Sequence, residues 1–340
     1  MIQPFSLRLD EMALMMNCEL TDDPHYAGLE IQVFDDDRHG AGILVFVERR
    51  SDRRIDVYHE AGLRLDRSGY GIGGGLGRWE QAVIDPSVVE FTTTGVHVDV
   101  GLTDASGRRI EVRIDDRDGR QRRLAALLAP MGAAVEHPTS LPLVWMPRFD
   151  LVRDVGREPE VLIDGRRAAT GRLPGAALHR RRLIKVAEDL CAVWVNPAQD
   201  GPLSPSGPGP GVVVASAGEH EARLELTPPL DLESMAPRSS VEGSWTVGVD
   251  AAPALTGGTW RATRQDGTVR LVMEVTRRWR PRRLPVLMRL VTTVIRTFRV
   301  WPTTYRWEAV IELGATPTMR SRWVRTGAGR ADDYRRATAR

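Results

Sequence analysis

Apolar and polar residues alternate along most of this chain, and short spacers rich in glycine, proline or aspartate break the alternation. The clearest stretch is 96–116. Val96-His-Val-Asp-Val-Gly-Leu alternates, Asp-Ala-Ser-Gly turns, and Arg109-Ile-Glu-Val-Arg-Ile114 alternates again. Alternation with period two sends successive side chains to opposite faces, so the pattern predicts an antiparallel hairpin with one apolar face. Ile31–Phe34 and Ile43–Val47 predict a second hairpin around the spacer 35–40. The three aspartates of that spacer read as a solvated tip rather than a cation site, because no further carboxylate follows at ligand spacing. Asp164-Gly165 marks a third turn, within 159–172. Further strands are predicted at 55–60, 244–249, 259–263, 268–275 and 305–313. The last places Tyr305, Trp307, Ala309, Ile311 and Leu313 on one face.

Three stretches depart from that rhythm. Residues 120–128, RQRRLAALL, predict a short helix ended by Pro130. Residues 180–196 fit either a helical face or two short strands around Glu188-Asp189, and the β-branched second half favours strands. In the third, apolar positions 287, 290, 291, 294 and 298 fall on one helical face. Arg289, Thr292, Thr293, Arg296 and Arg299 lie off it, Pro285 is tolerated in the first turn, and the apolar side is expected to face inward and the basic side outward. Residues 197–211 hold five prolines and four glycines, a linker composition. The expected fold is therefore all-β and mainly antiparallel, as two lipocalin-like barrels or sandwiches with few short helices. Residues 1–196 form the first domain, 212–340 the second, and 277–301 an amphipathic insertion in the second.

Charge changes this picture in one place. The formal net charge is only +2, yet 261–340 carries 19 arginines and 6 acids, a local net of +13. The rest of the chain holds 28 basic and 39 acidic residues, a net of −11. The basic part can face an anionic partner or be neutralised by the acidic part. Lys185 is the sole lysine, and composition alone accounts for it; nothing beside it supports Schiff-base chemistry. Cys18 and Cys191 are too few for a disulfide framework. The opening MIQPFSLRLDEMALMMN has acids inside its apolar run and no basic leader, so no signal peptide is expected, and no apolar run reaches spanning length. A cytoplasmic protein is expected, with attachment to a membrane surface as the further option.

Catalytic signatures are absent: no HExxH, P-loop or GxSxG occurs, and the seven histidines are scattered. GYGIGGGLG at 69–77 contains a formal GxGxxG, but the segment before Pro86 is too short for the helix a dinucleotide site needs, so it reads as a flexible loop. No cofactor and no metal are expected. Alternation in 55–60 puts Tyr58 and Glu60 on one face as a pocket edge, and SLPLVWMPRFDLVRD at 140–154 gathers Arg148 and Asp150 among aromatics. Tyr58, Glu60, Arg148 and Asp150 are the candidate acid–base groups, and Trp79, Trp145 and Trp194 the candidate walls. Arg148 and Asp150 fit a structural ion pair equally well.

The strand rhythm of VEFTTTGVHVDVGLTDASGRRIEVRI and the crossover WMPRFD resemble the double lipocalin-like superfamily of carotenoid 1,2-hydratase and AttH-like proteins. The resemblance implies cofactor-free hydration, isomerisation or cyclisation of a hydrophobic isoprenoid or polyketide inside a barrel, and assigns no catalytic residue. Against this stands a carrier or peripheral membrane protein using Arg278, Arg280, Arg282 and Arg283 to meet anionic lipid. Nucleic acid is not the expected partner, because the apolar density of 277–301 exceeds what a strand-binding groove needs.

Overall fold

The structure, a computed structural model, describes residues 2–67, 70, 75–130, 138–173, 179–203, 211–280, 284, 286–294 and 296–326. It is nearly all β, mostly antiparallel, and one sheet curls into a half-barrel. The chain divides into two compact units: residues 1–10, 128–145 and 191–340 form the first, and 11–127 with 146–190 the second.

An eight-stranded sheet runs in the order β5 (Leu76–Gln81), β4 (Ile55–His59), β3 (Gly40–Arg49), β2 (Tyr26–Asp36), β1 (Leu7–Glu19), β13 (Arg181–Val195), β10 (Leu141–Arg153), β9 (Ala125–Pro130). β4 and β5 pair in parallel. The expected hairpin about 35–40 is β2–β3, and its tip is tied by Asp36, whose Oδ1 accepts the backbone N–H of Arg38 and His39 at 2.8 and 2.7 Å. Residues 180–196 form one strand rather than two. Its break is local: Asp189 takes φ +52° in mid-strand, next to the point where the chain passes from one unit to the other. The helix expected at 120–128 is absent. Residues 121–124 lack regular structure and 125–130 form β9, an edge strand, where Pro130 is tolerated. Strand pairing and the burial of Arg122 against two aspartates override the helical preference of Leu and Ala here.

In the second unit a five-stranded sheet, β12 (Arg166–Arg167), β11 (Glu160–Ile163), β8 (Arg109–Asp115), β7 (Gly95–Thr103), β6 (Ile84–Thr92), packs on one face of β1–β4 and β13. β7–β8 is the hairpin expected at 96–116, and its apolar face (Val96, Val98, Val100, Leu102, Ile110, Val112) meets Met16, Ile31 and Val45 in one buried cluster. Asp164 and Gly165 turn β11 into β12 with φ +50° and +72°, the left-handed pair that tight hairpin turns require.

The first unit is built on a meander: β15 (Val212–Ala217), β16 (His220–Thr227), β17 (Ser240–Val249), β18 (Thr256–Gln265), β19 (Thr268–Arg277), β20 (Tyr305–Glu312) and β21 (Thr318–Arg325), with β14 (Asp200–Pro202) added at β21. Alternation drives Trp245, Trp260, Trp307 and Trp323 fully inside. Between β19 and β20 lie two helices, α1 (Val286–Val294) and α2 (Arg296–Val300).

Candidate functional site

Tyr58 is the expected acid–base residue that reaches an opening. β4 presents Tyr58 to the side of the five-stranded sheet, and the ring lines a cleft of about 460 Å³ with Glu80, Asp85, Thr103, Asp104 and Arg109. The phenol is 2% exposed and its oxygen accepts the Ala105 N–H at 3.3 Å. Burial raises its pKa, so at neutral pH it is an undissociated donor. Glu60 is not among the residues lining the cleft. β4 ends at His59, and the Glu60 carboxylate turns back to accept the Ile43 N–H at 2.6 Å. Two residues passed over in the sequence stand behind the cleft. Tyr26 donates its hydroxyl to Asp104 Oδ2, and Arg108 donates Nε to the same oxygen at 2.8 Å and Nη2 to the Tyr26 hydroxyl at 2.8 Å. Burial, reinforced by the Asp104 bond, pushes the Tyr26 phenol far above its usual range. Burial acts upward on Asp104 too, but bonds from Tyr26 and Arg108 outweigh it and hold that carboxyl low. The Asp104-Ala-Ser-Gly turn carries this cluster, and as a turn signal it hid the chemistry.

Trp79 lies on the opposite face of the same sheet, with ring centroids 5.2 Å from Tyr70 and 5.7 Å from His59. Register carries its row across the strands: Trp79, Val57, Phe46, Glu30 and Asn17 stand successively opposite one another. Glu30 accepts from Asn17 Nδ2 at 2.9 Å and Gln32 Nε2 at 2.6 Å, and Lys185 donates to Asn17 Oδ1 at 3.2 Å. Burial raises the Glu30 pKa against these bonds and the nearby ammonium. The sole lysine thus serves a buried polar row. The glycine loop before Trp79 lies mostly outside the described residues.

Arg148 and Asp150 do not pair with each other. Arg148 binds Glu188 at 2.7 Å, whereas Asp150 takes Arg122 Nε at 3.1 Å and Arg181 Nη1 at 2.9 Å. Arg122 also holds Asp116 at 2.9 Å. Arg148 and Asp150 are therefore each held in an ion pair, but with partners other than the one the sequence offered. The remaining tryptophans belong to the first unit: Trp145 meets the edge of Trp279 at 6.0 Å, and Trp194 lies under the Arg8 guanidinium and donates to Asp10 at 2.8 Å. Glu60, Arg148 and Asp150 do not line the cleft with Tyr58, and no hydrogen bond or ion pair among the described residues joins any two of the four.

The insertion differs from its expected layout as well. Leu284, Met288 and Trp301 are buried, but Val286, Leu290 and Val294 are 81%, 58% and 65% exposed. Residues four apart fall on one helical stripe, and Met288 lies on the far side of α1. Leu290 and Val294, expected to face inward, are thus part of an outward apolar stripe. Residues 277–301 contain eight arginines and no acid. Among the described residues, Arg278, Arg280, Arg289 and Arg299 are exposed without an ion pair; Arg278 donates to the Arg299 carbonyl at 3.0 Å. Arg282 and Arg283 lie outside the described residues.

These features define an all-β protein with a polar cleft and a cationic, apolar surface segment. No helix is long and apolar enough to cross a membrane, and no metal-ligating cluster occurs among the described residues. No protein-family model, no curated protein and no solved structure matches the chain.

Proposed function

We propose that the protein binds anionic membrane surfaces through 277–301. The observation that carries this reading is the stripe Val286, Leu290 and Val294, solvent-exposed on a helix whose flanking arginines have no carboxylate partner among the described residues. A fully buried Val or Leu side chain is worth roughly 1.5–3 kcal/mol, and an arginine near an anionic surface about 1 kcal/mol. Three apolar and four cationic side chains give two terms of similar size, so binding requires both lipid chains and negative headgroups. Single-stranded nucleic acid would need stacking platforms, but Trp301 is buried and Trp279 packs edge-on against Trp145. A hydrophobic small-molecule ligand, with or without turnover, gains less support, because the cleft beside Tyr58 is lined by Glu80, Asp85, Asp104 and Arg109.

Co-sedimentation of the full chain with phosphatidylcholine vesicles, with and without phosphatidylserine, tests the proposal. Binding at least tenfold stronger to the anionic vesicles is expected, about 1.4 kcal/mol. Val286, Leu290 and Val294 to Ser, and separately Arg278, Arg280, Arg282 and Arg283 to Ala, should each reduce it. Equal binding to both vesicles, indifference to either variant, or capture of single-stranded DNA in place of vesicles overturns it.

A further inference from the structure

The cleft beside Tyr58 has a chemistry that the membrane reading does not use. Its volume of about 460 Å³ lies within the usual span of small-molecule sites, roughly 300–1,000 Å³. Three carboxylate residues line it, and they are not equivalent. Asp104 is fully committed: its Oδ1 accepts the Ser106 and Arg108 N–H groups at 2.7 and 2.9 Å, and its Oδ2 holds Tyr26 and Arg108. Glu80 has only Arg78, at 3.7 Å, and the Asp85 carboxylate has no partner among the described residues. The cations at the rim are occupied elsewhere. Arg109 donates to the Asp85 main-chain carbonyl, and Arg78 to the Ala105 carbonyl at 3.1 Å.

The second observation is independent of those acids. Tyr58 is nine-tenths buried, lines the cleft, and accepts one hydrogen bond, while no acceptor among the described residues takes its own proton. A phenol that accepts a hydrogen bond but gives its own proton to no protein acceptor can donate it to a ligand oxygen in the cleft. An opening with two under-used carboxylates at its wall and an idle O–H at its floor fits one type of molecule.

We propose that this cleft binds a small organic cation, an ammonium or guanidinium compound that also carries a carbonyl or hydroxyl oxygen. The cationic end meets Glu80 and Asp85, and the oxygen accepts the Tyr58 hydroxyl proton. The charged hydrogen bonds supply most of the affinity, and the phenol selects for the oxygen. No bond is made or broken.

Isothermal titration of the full chain with three probes tests this: 4-aminobutanamide, butylammonium and butanamide. They share a four-carbon skeleton and carry the cation and the oxygen together, the cation alone and the oxygen alone. The expected order is 4-aminobutanamide tightest, butylammonium several-fold weaker, and butanamide without saturable heat. The double variant Glu80→Gln, Asp85→Asn, made at surface positions, should weaken 4-aminobutanamide about tenfold or more. Tyr58→Phe should bring 4-aminobutanamide down to the affinity of butylammonium. If that variant unfolds, the comparison between the two cationic probes in the unaltered chain carries the same information. The proposal fails if butanamide binds as well as 4-aminobutanamide, if the carboxylate variant binds unchanged, or if none of the three gives saturable heat.

Discussion

Replacing Asp116 by Asn probes how the second unit carries charge in its interior. Two ion pairs in this protein have the same length, 2.9 Å: Arg122–Asp116, with side chains 2% and 0% exposed, and Arg261–Glu242, 67% and 71% exposed. Distance cannot separate them; solvation must. Asp116 also accepts the N–H of Val96 at 2.6 Å and of Arg153 at 2.8 Å, so one carboxylate ties β7, β10 and the segment before β9. Asparagine keeps the shape but replaces one acceptor by a donor and leaves Arg122 with Asp150 as its remaining anion. Breaking a buried pair from one side typically costs about 3–5 kcal/mol. Because Asp150 persists, the lower end, about 3 kcal/mol, applies. For a unit of this size that corresponds to a fall in melting temperature of roughly 6–12 °C, at about 2–4 °C per kcal/mol. Glu242→Gln should change stability by no more than about 1 kcal/mol. Trp79 is the sole tryptophan of the second unit, so fluorotryptophan labelling gives that unit its own ¹⁹F unfolding reporter. A loss for Asp116→Asn within error of the Glu242→Gln value would refute the argument. So would a double variant with Arg122→Met that costs the sum of the two single changes, since a coupled pair must fall short of additivity.

Two further outcomes follow from buried polar groups. The Glu30 pKa is raised above its ordinary value of 4.5, chiefly by burial. A raised folded pKa means that the folded state holds the proton longer, so the Glu30 contribution is intact below 4.5 and is lost as pH rises through the folded value. Glu30→Gln should therefore gain stability relative to the unaltered chain as pH climbs from 4.5, read by denaturant midpoints across pH; a constant difference would show that the carboxyl does not titrate differently on folding. In the first unit, Trp260 donates its indole N–H to the Ser244 carbonyl at 3.1 Å, while the buried Trp307 indole N–H has no partner among the described residues. Trp307→Phe should thus cost about 1–3 kcal/mol less than Trp260→Phe, measured by urea unfolding, and equal losses would argue that both nitrogens are equally satisfied.

Strands were legible because their signal is local. The alternation in 96–114 needs only neighbouring residues to be read, and β7–β8 follows it residue for residue. Residues 120–128 failed for the converse reason. Arg122 is decided by Asp116 and Asp150, the latter 28 residues away, and no window of helical propensity contains that information. The cleft was half legible. Period two put Tyr58 on one face of β4, but Glu60 lies past the strand end and its carboxylate is taken up by the Ile43 N–H. Its real neighbours, Asp85 and Arg109, come from β6 and β8, and only the packing of the five-stranded sheet brings them to Tyr58.

The charge asymmetry shows what sequence bookkeeping can and cannot decide. A local +13 beside a remainder of −11 permits internal neutralisation, and several arginines on the strands of the first unit are neutralised in this way. Arg306 and Arg322 share Glu308 at 2.5 and 3.0 Å, Arg320 reaches Asp200 at 3.4 Å, and Arg261 pairs with Glu242. Each of these follows from register, because strands set arginine and carboxylate side by side on the polar face. The insertion has no such register. With no acid among its own 25 residues and no strand beside α1 supplying one, Arg278, Arg280, Arg289 and Arg299 remain without a carboxylate among the described residues. Unpaired charge therefore gathers on α1 and its flanks, where the valine and leucine stripe also faces out. Two costs that a folded chain ordinarily avoids fall on the same nine residues of α1 and their flanks, and an anionic, apolar-cored surface removes both together.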